Sequence, residues 1–313
     1  MRALPAVIFA MLVAAGAADA QSSYRAPRTA DGHPEIQGMW STRFITQLER
    51  PPGVPGPTVT REQAPAAAQQ LLSGAPEVID PDFHFYNLAD LAEVRGALRT
   101  SLIVEPAGGL LPFTEAGTAS ANEYDRRFTV GFDNPEERDN SERCLAGMTQ
   151  APIRPIPAPF PFQFVQTRDY VVISTEDTVA TRIIHLDEPP PPDAMRSREG
   201  WSAGRWEGDT LVVVTDHLRG DDPWRITMGR SLVVGAYSRV IERFTRVSDG
   251  ELHYEFTVED PSFYATPWRA EFSFARTDGE RVYEYACHEA NYSMTNMLKG
   301  GREAQRRAQM ARR

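Results

Sequence analysis

Apolar and polar positions along the chain change their period near residue 160. Beyond it they alternate with period two over 162–167, 170–175, 181–186, 210–215, 237–247, 252–258, 268–275 and 282–287. Such alternation places one face of a strand in a core and the other in water, so each stretch predicts a β-strand. Ser248-Asp249-Gly250 and Thr277-Asp278-Gly279 supply Asp-Gly turns between successive runs. These residues tolerate the positive φ that tight hairpins require, so the arrangement expected is an antiparallel meander. A sheet of this size exposes two edges unless it closes on itself. The fold class is therefore mainly β, a closed barrel around an internal cavity, with a β-sandwich as the alternative.

The preceding third reads differently. A first strand is expected over 36–46, followed by the turn-rich Pro51-Pro52-Gly53-Val54-Pro55-Gly56-Pro57. Thr60 and Gln63 have capping-box spacing ahead of an Ala-rich stretch to Leu72, and Gly74 and Pro76 stop it, which predicts a short helix. Leu88, Leu91, Val94 and Leu98 recur near helical spacing and predict a second one over 87–98. Five prolines from Pro152 to Pro161 exclude helix and central strand and leave a lid or connector. The expected organisation is an extended and helical region over 21–150 packing on a barrel over 151–298, then a basic tail over 299–313.

The first twenty residues stand apart. Arg2 precedes an apolar run from Ala3 to Ala15 and an Ala18-Asp19-Ala20 cleavage pattern, which predicts a secretory signal peptide cut between Ala20 and Gln21. The run is too short to span a bilayer comfortably, and no other segment is long and apolar enough to do so. Export, to the periplasm or beyond, places Cys144 and Cys287 in an oxidising compartment and predicts a disulfide between them, with two buried free thiols as the alternative. A net charge of −10, from 33 basic and 43 acidic residues, disfavours nucleic acid as a partner. Lys299, Arg302, Arg306, Arg307, Arg312 and Arg313 against Glu303 make the tail locally basic. It reads as a solvated helix, with weak contact to an anionic membrane surface as the functional alternative.

Ser101-Leu102-Ile103-Val104-Glu105-Pro106, the run Gly204-Arg205-Trp206-Glu207-Gly208-Asp209-Thr210-Leu211-Val212-Val213, Glu242-Arg243-Phe244-Thr245-Arg246-Val247 and the run from Tyr283 to Tyr292 resemble segments of a widespread family of exported proteins of environmental bacteria. The resemblance covers most of the chain after residue 20. It implies export and a shared fold and carries over no catalytic residue. Where that family often has Asp-Gly-Arg-Pro-His after the third alternating run, this chain has Asp187-Glu188 and then Pro189 to Pro192. Gly38-Met39-Trp40 is also similar to the Gly-x-Trp start of lipocalins, which implies a lipocalin-like barrel.

Candidate chemistry concentrates in the last two expected hairpins. With Leu252, Tyr254, Phe256 and Val258 inward, Asp260 is expected inward and Glu259 in solvent. If Tyr283, Tyr285 and Cys287 face inward, Glu289 joins them and His288 takes the other face. Burial among aromatic rings raises a carboxyl pKa toward a useful general acid or base. The candidate catalytic set is therefore Glu289 or Asp260 with His288 or His217, and the ligand-binding set is Tyr264, Trp268, Tyr285, Tyr292 and Trp206. The alternative readings are carboxylates paired with the abundant arginines, histidines hydrogen-bonded structurally and aromatics that are plain core.

Weaker signals bound the function. Gly200-Trp201-Ser202-Ala203-Gly204 matches the nucleophile-elbow pattern but lacks the following helix, so a tight loop leading into a strand is expected instead. Asp80, Asp82 and His84 form a possible ligand set, with a solvated loop as the alternative, and no His-Glu-x-x-His or paired-Cys spacing occurs. No dinucleotide fingerprint or P-loop is present, so no cofactor is expected. Together these features lead to an exported barrel that binds a small, mostly apolar or aromatic molecule. It would convert that molecule by cofactor-free acid–base chemistry of the lyase, isomerase or hydrolase kind. The alternatives are a non-catalytic binding protein and an envelope structural or interaction protein with a filled barrel.

Overall fold

The structure is a computed structural model that describes residues 24–54, 56–72, 90–138, 140, 142–145, 147–154, 160–176, 180–221, 223–225, 227, 229–289 and 291–312, the side chains at 128–130 excepted. The expected signal peptide and the Asp80, Asp82 and His84 set lie outside the described residues.

In chain order the elements are β1 (Gly38–Ser41), β2 (Thr58–Val59), α1 (Ala64–Leu72), β3 (Glu93–Val94), β4 (Ala97–Arg99), β5 (Ile103–Glu105) and α2 (Glu115–Val130). They continue with β6 (Phe162–Gln166), β7 (Tyr170–Thr175), β8 (Arg182–Leu186), β9 (Trp201–Glu207), β10 (Thr210–Asp216), β11 (Trp224–Arg225) and β12 (Leu232–Val233). The last are β13 (Arg239–Arg246), β14 (Glu251–Glu259), β15 (Trp268–Arg276) and α3 (Tyr292–Ala311). Nine strands close into a barrel in the order β1-β6-β7-β8-β9-β10-β13-β14-β15, and β1 returns to pair with β15. Closure removes the sheet edges that an open meander would expose.

The barrel is mixed, because β8 and β9 run parallel while the other neighbours are antiparallel. The 187–200 connection must therefore carry the chain back along the barrel before β9 begins. Gly204 makes the parallel contact close: a Cβ there would lie 2.6 Å from Ile184 Cγ2 and 2.9 Å from Leu186 Cδ2. The elbow-like run is thus a strand, and the loop expected there is corrected.

Alternation dictates the interior. Val240, Phe244, Leu252, Tyr254, Phe256, Val258, Trp268, Ala270, Phe272 and Phe274 are all fully buried in one core cluster. Phe164 meets Phe244 and Phe274 edge to face at 5.8 and 5.7 Å, and Tyr254 lies 4.8 Å from both Phe244 and Phe272. These rings pack against one another in the middle of the barrel.

Two other expectations are corrected. Glu93–Val94 and Ala97–Arg99 are strands, and Arg95 and Gly96, at φ 49° and 83°, form the turn of a small hairpin. Leucine spacing compatible with a helix is overridden there by a two-residue turn; the 87–89 part of the expected helix lies outside the described residues. Residues 282–287 form no strand. The reason is geometric: β15 has β14 along one edge and β1 and β5 along the other, so no edge is left to pair. By contrast α1 starts with reciprocal Thr60 and Gln63 bonds of 3.3 and 3.0 Å, the capping box that spacing predicts.

Segments from outside the sheet cover both barrel ends. At the end carrying the Asp249 turn, Tyr24 bonds Asp249 at 2.8 Å, His33 stacks on Trp206 and Arg246 donates to the Glu35 carbonyl at 3.0 Å. At the other end, where β8 starts, residues 147–154 insert Met148, Ala151 and Ile153 into the core. That segment follows Cys144, which is disulfide-bonded to Cys287 with a Cα–Cα distance of 5.7 Å. With the two cysteines 143 positions apart in sequence, the chain-entropy account assigns the bond about 5 kcal/mol. Urea unfolding of Cys144→Ser/Cys287→Ser is expected to show a loss of this order, and a midpoint equal to wild type would contradict it.

Candidate functional site

At the end where β8 starts, two charged side chains face inward from the barrel strands and meet. Arg182 shares the face of Ile184 and Leu186, Glu242 that of Val240 and Phe244, and their side chains are 1% and 0% exposed. Charges this deep are tolerated only when fully bonded. A guanidinium carries five N–H donors, and here all five are used. Nε donates to Ser202 Oγ at 3.0 Å, Nη1 to Glu242 Oε1 at 2.9 Å and the Thr149 carbonyl at 3.4 Å, and Nη2 to Thr215 Oγ1 at 2.9 Å and to Glu242 Oε2. Tyr254 completes the group by donating to Glu242 Oε1 at 2.6 Å while accepting the Ile153 N–H at 2.9 Å. Burial opposes the Arg182 charge, but Glu242 outweighs it and holds the pKa above the ordinary arginine value. Burial, reinforced by Glu242, holds the Tyr254 phenol well above its usual range.

Glu199 sits beside this network. It precedes Gly200, whose φ is +70° and where a Cβ would come within 2.4 Å of the Asp216 carbonyl, so the bend that follows Glu199 requires glycine. Both Glu199 carboxyl oxygens are buried without a hydrogen-bond partner. Burial pushes its pKa up to about 7, against the pull of Arg225, Arg182 and Arg154. Arg182 has no donor left to offer. Arg225 donates to the Trp224 carbonyl at 2.9 Å, and Arg154, itself buried, has an Nε without a partner. Gln150 donates to the Arg198 carbonyl at 3.0 Å and so ties the 147–154 segment to the residue before Glu199. Within this cluster Glu199 is the group that can exchange a proton near neutral pH.

The residues singled out from sequence fall elsewhere. Asp260 is buried, as alternation predicts, but its carboxylate accepts from Ser238 Oγ at 2.6 Å and the Ser262 N–H at 2.9 Å. His217 closes β10 at φ 54°, bonded to Asp216 and 3.4 Å from Asp193. His288 and Glu289 lie exposed in a turn, and Tyr285 and Tyr292 are 46% and 71% exposed, because the strand that would bury this face does not form. Tyr264 exchanges two 2.9 Å bonds with the Val233 backbone, and Trp268 packs on Phe256 and Tyr264. Trp206 lies at the opposite end against His33. The structure does not bring these residues to Glu199; they hold strand ends, the core and the surface.

A cleft of about 740 Å³ lies outside the barrel wall, bordered by Phe44, Leu91, Leu98, Arg61, Glu93 and Glu251. Charged groups on its border have partners: Arg61 pairs with Glu93 at 2.7 Å, and Glu251 accepts from Ser273 at 2.6 Å. Among the described residues no group of three His, Cys, Asp or Glu could hold a metal ion, and no helix is long and apolar enough to cross a membrane. No family model matches the chain, and no curated protein is significantly similar to it.

A buried carboxyl with a raised pKa makes folding depend on pH. Between about pH 4.5 and pH 7 the folded chain holds a proton on Glu199 that the unfolded chain releases, so this group's contribution to stability falls as pH rises through that window. Raising this carboxyl from 4.5 to about 7 corresponds to about 3 kcal/mol. His253 acts oppositely: burial and then Arg95, Arg99 and Arg269 lower its pKa to about 4, so its contribution rises between about pH 4 and pH 6.5. Urea unfolding of Glu199→Gln is expected to match wild type near pH 4.5 and to exceed it by up to ~3 kcal/mol at pH 8. Equal stability at pH 8 would mean that the carboxyl is solvated. Glu242→Gln, which removes a charged partner from Arg182, is expected to cost about 3 kcal/mol or more.

Proposed function

We propose that this is an exported β-barrel protein that binds a small, mostly apolar molecule at the end covered by 147–154 and acts on it by cofactor-free acid–base chemistry, with Glu199 exchanging the proton. The observation that carries this reading is the Glu199 carboxyl, whose buried oxygens have no partner and whose pKa is pushed up to about 7. Buried polar groups are ordinarily hydrogen-bonded, so an unsatisfied carboxyl beside arginines calls for a polar group supplied from outside the chain. A proton donor and acceptor matched to neutral pH is also what general acid–base catalysis requires.

The rest of the network gives that group a setting. Arg182 and Glu242 form a fixed dipole, and Tyr254 keeps its proton at neutral pH, which leaves Glu199 to transfer one. The disulfide, and the lack among the described residues of a membrane-spanning helix, are compatible with export. The packed aromatic middle favours a second reading, a filled barrel without a ligand.

Native mass spectrometry of the protein purified from its own host separates the two. A small molecule released on denaturation from wild type, and not from Glu199→Leu, is the expected result. A protein with no retained molecule, whose Glu199→Leu variant behaves identically, supports the filled barrel. With the released compound as substrate, Glu199→Gln is expected to lower turnover by roughly 10²–10⁴-fold while leaving affinity within a few-fold. Unchanged turnover removes Glu199 from the chemistry, and no turnover by wild type leaves a binding protein.

A further inference from the structure

We propose that the molecule held at this end of the barrel is a small monocarboxylic acid, its carboxylate bridging the Arg154 guanidinium and the Glu199 carboxyl. This inference rests on the reading of the Glu199 cluster as a ligand site and adds the chemical class of the ligand.

The argument is one of matching donors and acceptors. Arg154 is 4% exposed and has a buried Nε without an acceptor, and Glu199 has two buried oxygens without a donor. The charged and titratable groups around Glu199 are Arg154 from the covering segment, Arg182 from β8 and Arg225 from β11, with Glu242 and Tyr254 behind Arg182. An incoming cation would meet three guanidinium groups. A neutral molecule could satisfy Glu199 and would leave the positive field of Arg154 unanswered. A dianion would place two charges beside a carboxyl and against a field that Glu242 already offsets at Arg182. A monocarboxylate meets both needs, because its planar oxygens fit a guanidinium fork and its second lone pair accepts the proton of a neutral carboxyl.

The surroundings set the remainder of the molecule. Ile153 is next to Arg154 in sequence and fully buried, and Leu218, also fully buried, lies against Gly200. An acid with a compact apolar body fits this border. In the bound state Glu199 carries its proton, so above pH 7 binding draws one proton from solvent and no bond to carbon is made or broken.

Isothermal titration of the full mature chain with phenylacetate, phenylacetamide and inorganic phosphate tests the class. At pH 6 phenylacetate is expected to bind at least ~10-fold more tightly than either of the others, and above pH 7 its affinity is expected to fall ~10-fold per pH unit. Buffers of different ionisation enthalpy at pH 8 are expected to report uptake of about one proton. Arg154→Gln is expected to weaken the acid ~10-fold or more and the amide little, while Glu199→Gln keeps binding but loses the pH dependence. Should Arg154→Gln fail to fold, the proton uptake and pH slope of wild type decide alone. Equal affinity for acid and amide, or preference for phosphate, overturns the carboxylate class and leaves a ligand site standing. No binding of any probe overturns the class, and joined to an empty protein in the mass measurement it overturns the ligand site as well.

Discussion

The buried pairing of Arg182 with Glu242 is the interaction on which this end of the barrel depends. Taking two charges out of water costs several kcal/mol each, and Coulomb attraction offsets that cost only when the remaining donors and acceptors are met. Here the acceptors come from β9, β10, β13 and the 147–154 segment, and β14 adds the Tyr254 hydroxyl. One guanidinium from β8 thereby fixes the register of four further strands against one another and seats the segment that covers them. A shift of one residue in any of these strands would turn its polar side chain outward and leave a charge unanswered. The same saturation bears on Glu199: Arg182, one of the three cations acting on it, has no hydrogen left to give.

The barrel is filled in the middle and covered at both ends, so its capacity for chemistry is local. Rings from β6, β13, β14 and β15 pack against one another in the central section. The arm over 24–37 covers the Asp249 end with contacts to the barrel, among them Tyr24 to Asp249 and Ile36 to Gln166. The end where β8 starts differs, because its covering segment brings an arginine whose Nε lacks an acceptor to a carboxyl that lacks a donor. A closed barrel in this chain is therefore a rigid frame, and the ligand reading is confined to the corner where a buried guanidinium Nε and a buried carboxyl both stand unpaired.

Much of the frame is legible in the sequence, because a period of two is a direct consequence of strand geometry. Inward positions in β14 follow from Leu252, Tyr254, Phe256 and Val258, and the burial of Asp260 follows with them. Arg182 and Glu242 stand on the apolar parity of their strands, which is the signal that could have found the network. Strand β9 is hidden by glycines that read as a turn, although Gly204 serves close parallel packing against Ile184 and Leu186. The run over 282–287 alternates well and still forms no strand, since pairing needs a free edge and closure uses every edge of β15. Glu199 is not readable at all: nothing local marks a carboxyl whose charged neighbours come from 45 residues upstream, at Arg154, and from further along the chain, at Arg225.

The position of the disulfide ties these points together. Cys144 lies just before the covering segment, and Asn291 at the start of α3 donates to the Glu142 carbonyl at 3.1 Å and to Cys144 Sγ at 3.4 Å. The segment is thus held from outside by a covalent bond and a helix cap, and from inside by Arg182 and Tyr254. A segment fixed on both sides can present Arg154 at a constant place without a direct bond to Glu199. Preorganisation of this kind lowers the entropy lost when a ligand binds, because the protein groups that receive it are already ordered. In a flexible loop Arg154 would collapse onto Glu199 and the two would neutralise each other. Anchoring from outside holds the segment in place, and in the ligand reading both unpaired groups then await a third.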